Sequence, residues 1–597
     1  MKKFLILSNV LLLPLLLFSQ VPSIQAQTSR TERIAFSAYR NGQWDIYSIA
    51  ADGSDPRQLT NTPGEETDPM YAPDGSAIAF AARREGNWDV YTLDLTTGEE
   101  QRLTSSPHYE GAPSWSPDGT RLAYESFQNE NLDIWVLDVA GEGPAINLTE
   151  DTPEGDFSPA WSPDGQFIAF ASWRLPPAER RPGALTNNNL FLIDIDDGTV
   201  TQLTNTPQAE AWPAWHPDGD RLAFMVDDLG DQEVFMLDIN EPPADGGPLT
   251  PVTWLGRTDG PAWSPAGDVV AGVFHRWDGD FVMVVDPQAD HELPVTVTEQ
   301  AMIQGRLTWH AEVIDFGGIV GSLAGDGVST AYEETIAEEH AAFSGSTNMV
   351  RLNDIETGTP WLSDSVDDSF QTWRFQIRDE VGYDFLSQLS DATRDVGAYT
   401  ETSQYASWHK SGRAIDTLFD YHLESGRLAH EIVREDYSGE TYWRTYLRCE
   451  DQSGRCGRPL TVNPWNYSQR ARVDIAPEQG GIERPNQSGY YVDFTAVGRT
   501  YGWDRISSFD DTEEYSWTWH FLAFEYWHYQ KPLTANEAAP NTANWYQAML
   551  DIYPPERLEQ FFSWAKMREI GDDPYLIALK GVPLPLEQRI WWDLVAQ

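Results

Sequence analysis

The sequence predicts a multidomain chain: an all-β six-bladed propeller over residues 30–310, then a mixed α+β domain over residues 349–597. Three observations predict it. A small apolar triplet returns six times in the first half, strand and turn signals accompany each copy, and the pattern dissolves after His310.

The triplets are Ile34-Ala35-Phe36, Ile78-Ala79-Phe80, Leu122-Ala123-Tyr124, Ile168-Ala169-Phe170, Leu222-Ala223-Phe224 and Val270-Ala271-Gly272. Their central alanines are spaced 44, 44, 46, 54 and 48 residues apart. Short alternating strands such as Asp45-Ile46-Tyr47 and Asp89-Val90-Tyr91 follow. Leu-Thr pairs begin at Leu59, Leu103, Leu148, Leu203 and Leu249. Pro-Asp-Gly turns precede four triplets, as at Pro73-Asp74-Gly75, and Pro265-Ala266-Gly267 is an imperfect fifth. Short strands, Pro/Gly turns and a period of this size mean one propeller blade per repeat.

An aromatic residue stands before each turn, at Tyr71, Trp115, Trp161, Trp215 and Trp263. A sixth, Trp309, follows the last triplet, while the first triplet has no such strand before it. The segment Arg306–Trp309 is therefore expected to complete the first blade. The repeated aromatics read as blade core rather than as a ligand cage. The turns and blade pattern resemble the TolB-like propellers of the bacterial envelope. That resemblance implies a propeller that holds an envelope protein partner or a substrate, and Arg174 to Asn188 is a candidate contact loop.

Met1-Lys2-Lys3 and the apolar run Phe4–Phe18 read as a signal peptide, with Ala26 closing residues 1–26. The expected product is exported, periplasmic or extracellular, with no membrane span after cleavage. The formal charge of −53 argues against nucleic acid and anionic membrane surfaces as partners. Cys449 and Cys456 are the two cysteines, and an exported setting favours a local disulfide between them.

Residues 311–348 are rich in Gly, Ala and Glu and read as a linker. Beyond it, Val381 to Arg394 has helical spacing, Tyr490 to Val497 reads as strand or helix start, and Pro555 to Ile570 reads as a helix.

The chemistry concentrates in two stretches. Ser407-Trp408-His409-Lys410-Ser411-Gly412-Arg413-Ala414-Ile415-Asp416 places an imidazole and a carboxylate seven positions apart, with a glycine between them where the chain can bend. Glu525-Tyr526-Trp527-His528 adds a second imidazole three residues after a carboxylate. Two His and one Asp leave a zinc ion one open position for water, and a nearby Glu can move protons. S-x-H-x-x-G-x-A-x-D followed by E-x-W-H resembles the zinc D-alanyl-D-alanine carboxypeptidase and dipeptidase family, whose relatives include peptidoglycan endopeptidases.

The resemblance implies a Zn2+ cofactor on His409, Asp416 and His528, with Glu525 as general base and later acid. It also implies an upstream arginine that stabilises the oxyanion. Arg394 is the candidate, with Arg374 and Arg378 as competitors. Ser407 either orients a ligand or makes an ordinary strand-edge hydrogen bond. His422, His430 and His520 receive no role. Asp416 and Glu525 lie 109 positions apart, and the excess falls between Tyr437 and Ser488, an insertion suited to a lid or a substrate-selecting wall. The implied function is an exported zinc metallopeptidase acting on peptidoglycan stem peptides. The alternative is an envelope binding protein of the TolB-like type with an inactive or non-wall peptidase domain.

Overall fold

The computed structural model describes residues 32–311 and 348–585, together with 321, 322 and 334. Within those ranges 175–186, 399–406, 467–480, 509–515, 519–522, 533–544 and 570–576 lie outside the description, as do shorter breaks. The signal peptide, the candidate loop Arg174 to Asn188 for the most part, His520, and nearly all of the linker fall outside the described residues.

The first part forms six antiparallel sheets, one per repeat. The second, for example, runs Glu65–Tyr71, Ala77–Arg84, Asn87–Asp94, Glu100–Arg102. Each triplet sits on the second strand of its sheet counted from the innermost. Ile78, Ala79 and Phe80 are all buried although successive side chains face opposite ways, because each sheet is covered on both faces by its neighbours. That double coverage is why an apolar run, rather than an alternating one, marks the blade.

The Leu-Thr marker has a backbone purpose. The threonine hydroxyl accepts the N–H of Ile46, Val90, Ile134 and Leu190 at Thr60, Thr104, Thr149 and Thr204, at 2.8–3.0 Å. In the fifth blade the equivalent is Thr253, which accepts from Val234, and not Thr250 of the pair at Leu249. Thr298 does the same for Val282 in the sixth, where a valine replaces the leucine and hides the motif.

Ring closure follows the aromatic pattern. Met302–His310 pairs antiparallel with Arg33–Arg40, placing Trp309 opposite Ile34. The two ends of the propeller thus share one sheet. Gly321–Ser322, inside the segment read as linker, adds a fifth strand to it beside Arg57–Gln58.

The second part mixes helices with two four-stranded antiparallel sheets. The helix expected over Val381 to Arg394 lies upstream, at Asp367–Val381. Gly382 ends it in the left-handed conformation (φ 92°), and Leu389–Asp391 is a strand. The apolar spacing of Phe385, Leu386 and Leu389 comes instead from a 3-10 turn running into that strand. Tyr490–Asp493 is a strand and Phe494–Thr500 a helix capped by Asp493, so both readings of that segment hold in succession. The single helix expected at Pro555 to Ile570 is two, Pro555–Phe562 and Trp564–Glu569, because Ser563 leaves helical geometry at ψ 154°. Trp373 is fully buried among Phe494, Trp503 and Tyr529, which fixes the long helix beneath the sheet that carries the chemistry.

In the second part, the hairpin His430–Tyr437/Glu440–Arg448 and the loop closed by the Cys449–Cys456 disulfide face the propeller. Tyr490 Oη accepts the Tyr109 N–H at 3.2 Å and its ring packs on Phe127 at 4.9 Å. Arg83 pairs with Glu380 at 2.6 Å. Arg257 of the propeller pairs with buried Glu435 at 2.7 Å, and Arg444 and Arg505 complete that network. The segment Tyr437 to Ser488, read as an insertion, shares this dock through the Arg455 carbonyl on Arg83 and Arg458 beside Asp68.

Candidate metal centre

His409 stands on a 3-10 turn, Trp408–Ser411. Ser407 caps this turn, its Oγ accepting the His409 N–H at 3.3 Å, which decides its role in favour of local backbone support. Gly412 closes the turn at φ 66°. A Cβ there would lie 2.7 Å from the Ser363 amide nitrogen, so both conformation and space require glycine. The chain then enters the strand Ala414–Thr417, which brings Asp416 back toward His409.

The third residue arrives across the sheet. Asp416 is directly opposite His528 on strand His528–Gln530, and opposite Asp391 on its other side. His409 Nε2 lies 3.1 Å from Asp416 Oδ1, His528 Nδ1 lies 2.8 Å from the same oxygen, and the two nitrogens are 3.2 Å apart. All three residues are buried.

The outer ring atoms fix which nitrogens face inward. His409 Nδ1 is 2.7 Å from the Ala392 carbonyl, which can only accept, so Nδ1 carries the proton and Nε2 presents a lone pair. His528 Nε2 faces Gln530 Oε1 at 3.3 Å, an assignment that leaves Nδ1 bare. Two lone pairs and a carboxylate oxygen thus converge without a proton between them. Tetrahedral zinc with ~2.0–2.1 Å bonds needs donor atoms separated by about 3.3 Å, close to the triangle found. The donor set fits a metal ion, and its backbone and amide partners supply the support such ligands require.

Glu525 is buried on the turn leading into His528, where its carbonyl accepts the His528 N–H at 3.1 Å. It adopts φ 56°, an unfavourable conformation for a non-glycine residue, held here by the packed neighbours Phe524 and Tyr526. Burial pushes its carboxyl up to about 7; the Asp416 charge adds to that shift and the Arg394 charge opposes it.

Arg394 reaches the centre, with Nη2 3.3 Å from Asp416 Oδ2 and Nε on Asp391. Its competitors do not. Arg374 is held by Asp354 and Asp384, and Arg378 pairs with Asp379 on the surface. His422 is bonded to its own loop and buried His430 is pushed down to about 4 by desolvation, so neither joins the cluster. Sequence reading missed Ala392 and Gln530. Gln530 lies two residues beyond His528 on the same face of the strand, a period-2 signal that was available.

A second group, His216, Asp218 and Asp220, sits in a propeller turn. There the Arg221 guanidinium lies 2.8 Å from His216 Nε2 and supplies the positive charge itself.

Comparisons with known proteins place the first part. The TolB beta propeller domain model matches residues 89–178 and 112–301, and the Tricorn protease N-terminal beta propeller domain model matches residues 20–129. The N-terminal part of the chain is a TolB-like β-propeller. No curated protein matches the chain at a significant level. Among solved structures, TolB from Acinetobacter baumannii is 21% identical over 47% of this chain and 67% of its own, with a TM-score of 0.41. A putative TolB from Agrobacterium tumefaciens is 20% identical over 46% of this chain and 91% of its own, with a TM-score of 0.36. An oligogalacturonate lyase from Vibrio parahaemolyticus is 15% identical over 46% and 80%, with a TM-score of 0.32. The TolB-like propeller is thus joined to a domain that carries a candidate metal centre.

Proposed function

We propose that the chain is an exported zinc-dependent peptidase that hydrolyses cell-wall peptide bonds, with the propeller as its partner- or substrate-binding part. One observation carries the reading: His409, Asp416 and His528, spread over 119 positions, present three metal-facing atoms about 3 Å apart in a buried setting. Zinc, when bound, supplies Lewis acidity toward a carbonyl and acidifies water. In this reading Glu525 takes a proton and returns it to a leaving amine, and the upward push of burial on its carboxyl, to about 7, supports both tasks. Arg394 sets positive charge beside the cluster, where negative charge on a carbonyl oxygen would develop. The motif resemblance supports peptidoglycan stem peptides as substrates. The disulfide supports an oxidising compartment, and among the described residues no helix is long and apolar enough to cross a membrane.

The test is metal analysis of the parent protein and of Glu525→Ala, each assayed for release of D-alanine or peptides from peptidoglycan fragments. The reading expects about one zinc per chain in both proteins. It expects turnover to fall roughly 10²–10⁴-fold in the variant. Absence of zinc from both proteins overturns it.

A further inference from the structure

The central channel of the propeller opens toward the second domain in a chamber of about 370 Å3, a size usual for small-molecule sites. None of His409, Asp416, Glu525 or His528 lines it. Trp44, Trp88 and Trp212 contribute from the propeller and Trp465 and Tyr491 from the second domain.

Six arginines line the chamber, and carboxylates match five of them. Arg83 meets Glu380 at 2.6 Å, Arg257 meets Glu435 at 2.7 Å, Arg434 meets Asp436 at 2.7 Å, Arg444 meets Asp493 at 2.6 Å and Arg458 meets Asp68 at 3.8 Å. Arg306 is the exception. It is 8% exposed, and among the described residues no carboxylate oxygen comes within 4.0 Å of its guanidinium. Nη1 and Nη2 donate to the carbonyls of Pro159 and Pro213 at 2.8 and 3.3 Å, on the inner strands of two other blades. A guanidinium has five N–H groups, and a buried charge without a counter-charge is costly.

The fold does not require this arginine. Each inner strand bulges at one left-handed residue: Asp68, Ala112, Ser158, Trp212, Gly260 and Gly305. In five blades the next residue is proline, namely Pro69, Pro113, Pro159, Pro213 and Pro261. Only the closing strand substitutes an arginine, Arg306. Proline serves the same bulge elsewhere, so the bulge itself does not call for a cation.

Unmatched carboxylates face the same space. Glu125 accepts from Tyr109 Oη at 2.8 Å and from the Ser158 N–H at 2.7 Å, and Asp227 accepts from the Gly230 N–H at 2.6 Å and Gln232 Nε2 at 2.9 Å. Neither has a basic side chain within 4.0 Å among the described residues. Arg306 feels the charge of Asp68 and, more weakly, of Glu125, but neither carboxylate pairs with its guanidinium. We propose that the chamber binds a short zwitterionic peptide, its carboxylate on Arg306, its ammonium on Glu125 or Asp227, and its side chains against the tryptophans. This site is separate from the metal centre and does not depend on the peptidase reading.

The experiment is calorimetric titration of the full-length exported protein with tri-alanine, its C-terminal amide and its N-acetyl form, repeated on Arg306→Gln and Asp416→Asn. Saturable binding of tri-alanine is expected, weakened at least tenfold by either blocking group, and retained in Asp416→Asn. Arg306→Gln is expected to bind the acid and the amide equally. The analogue comparison on the parent and Asp416→Asn decides the matter even if Arg306→Gln does not fold. No saturable binding, indifference to both blocking groups, or binding lost in Asp416→Asn but kept in Arg306→Gln overturns the proposal.

Discussion

The propeller blades and the dock between the two parts bury carboxylates in opposite ways. In the propeller, carboxylates such as Asp45, Asp89, Asp133 and Glu210 are buried with neutral donors or a single cation, and burial pushes them up to about 7, 6, 6 and 7. Glu435, where the second domain meets the propeller, is equally buried but is held well below the usual carboxylate range by Arg257, Arg505 and Arg444. The lesson is that burial alone favours the neutral acid, whereas burial among guanidiniums favours the ion. The repeat can tolerate the first because hydroxyls and amides satisfy a carboxyl in either state. The dock uses the second, so its two halves are held by charge as well as by packing.

Glu435→Gln breaks this contrast most severely. It leaves buried Arg257 and Arg505 short of a counter-charge and removes one of the two carboxylates on half-buried Arg444, and a loss of about 3–5 kcal/mol is expected, read by denaturant unfolding. Because cation and anion come from different parts, the second domain is also expected to become more sensitive to proteolysis than the propeller. Replacing both cysteines by serine tests the dock more gently. The Cys449–Cys456 loop spans seven positions and presents the Arg455 carbonyl to Arg83. Its loss is expected to cost about 2–3 kcal/mol, measured as a lower melting midpoint under non-reducing conditions.

The smallest effect concerns pH. Asp45 and Glu210 have folded values above their unfolded ones, so their contribution to stability is full only below the ordinary carboxylate range and is lost progressively as pH rises from there through about 7. Glu435 has the reverse sign: its contribution is full at neutral pH and is lost as pH falls below the ordinary carboxylate range. Thermal melts are expected to show a gain on moving from pH 8 to pH 6, then a loss in stronger acid. Asp45→Asn is expected to flatten the first limb by on the order of 1 kcal/mol. A melting curve indifferent to pH from 8 to 6 would show that these carboxyls are not buried as described.

Much of the propeller was legible because its contacts are local and repeated. A triplet flanked by its own blade partners leaves the same mark six times, and the displaced Trp309 was enough to place the closing strand. The repeat misled only where a residue changed while its bond did not, as at Thr253 and Thr298. In the second domain the motif spacing named the cluster, but the helix expected at Val381 to Arg394 failed because Gly382 stops a helix that begins earlier.

By itself, the sequence determined the repeat, the number of blades and the residue types of the candidate metal centre, since each rests on local spacing or side-chain chemistry. Only tertiary structure decided that Arg394 rather than Arg374 or Arg378 reaches Asp416, and that Ala392 and Gln530 orient the histidines. It also decided that the second domain docks on the propeller and that Arg306 stands in the chamber without a carboxylate at pairing distance. Those facts depend on chain segments far apart in sequence meeting at hydrogen-bond distance, and no local pattern records such a meeting.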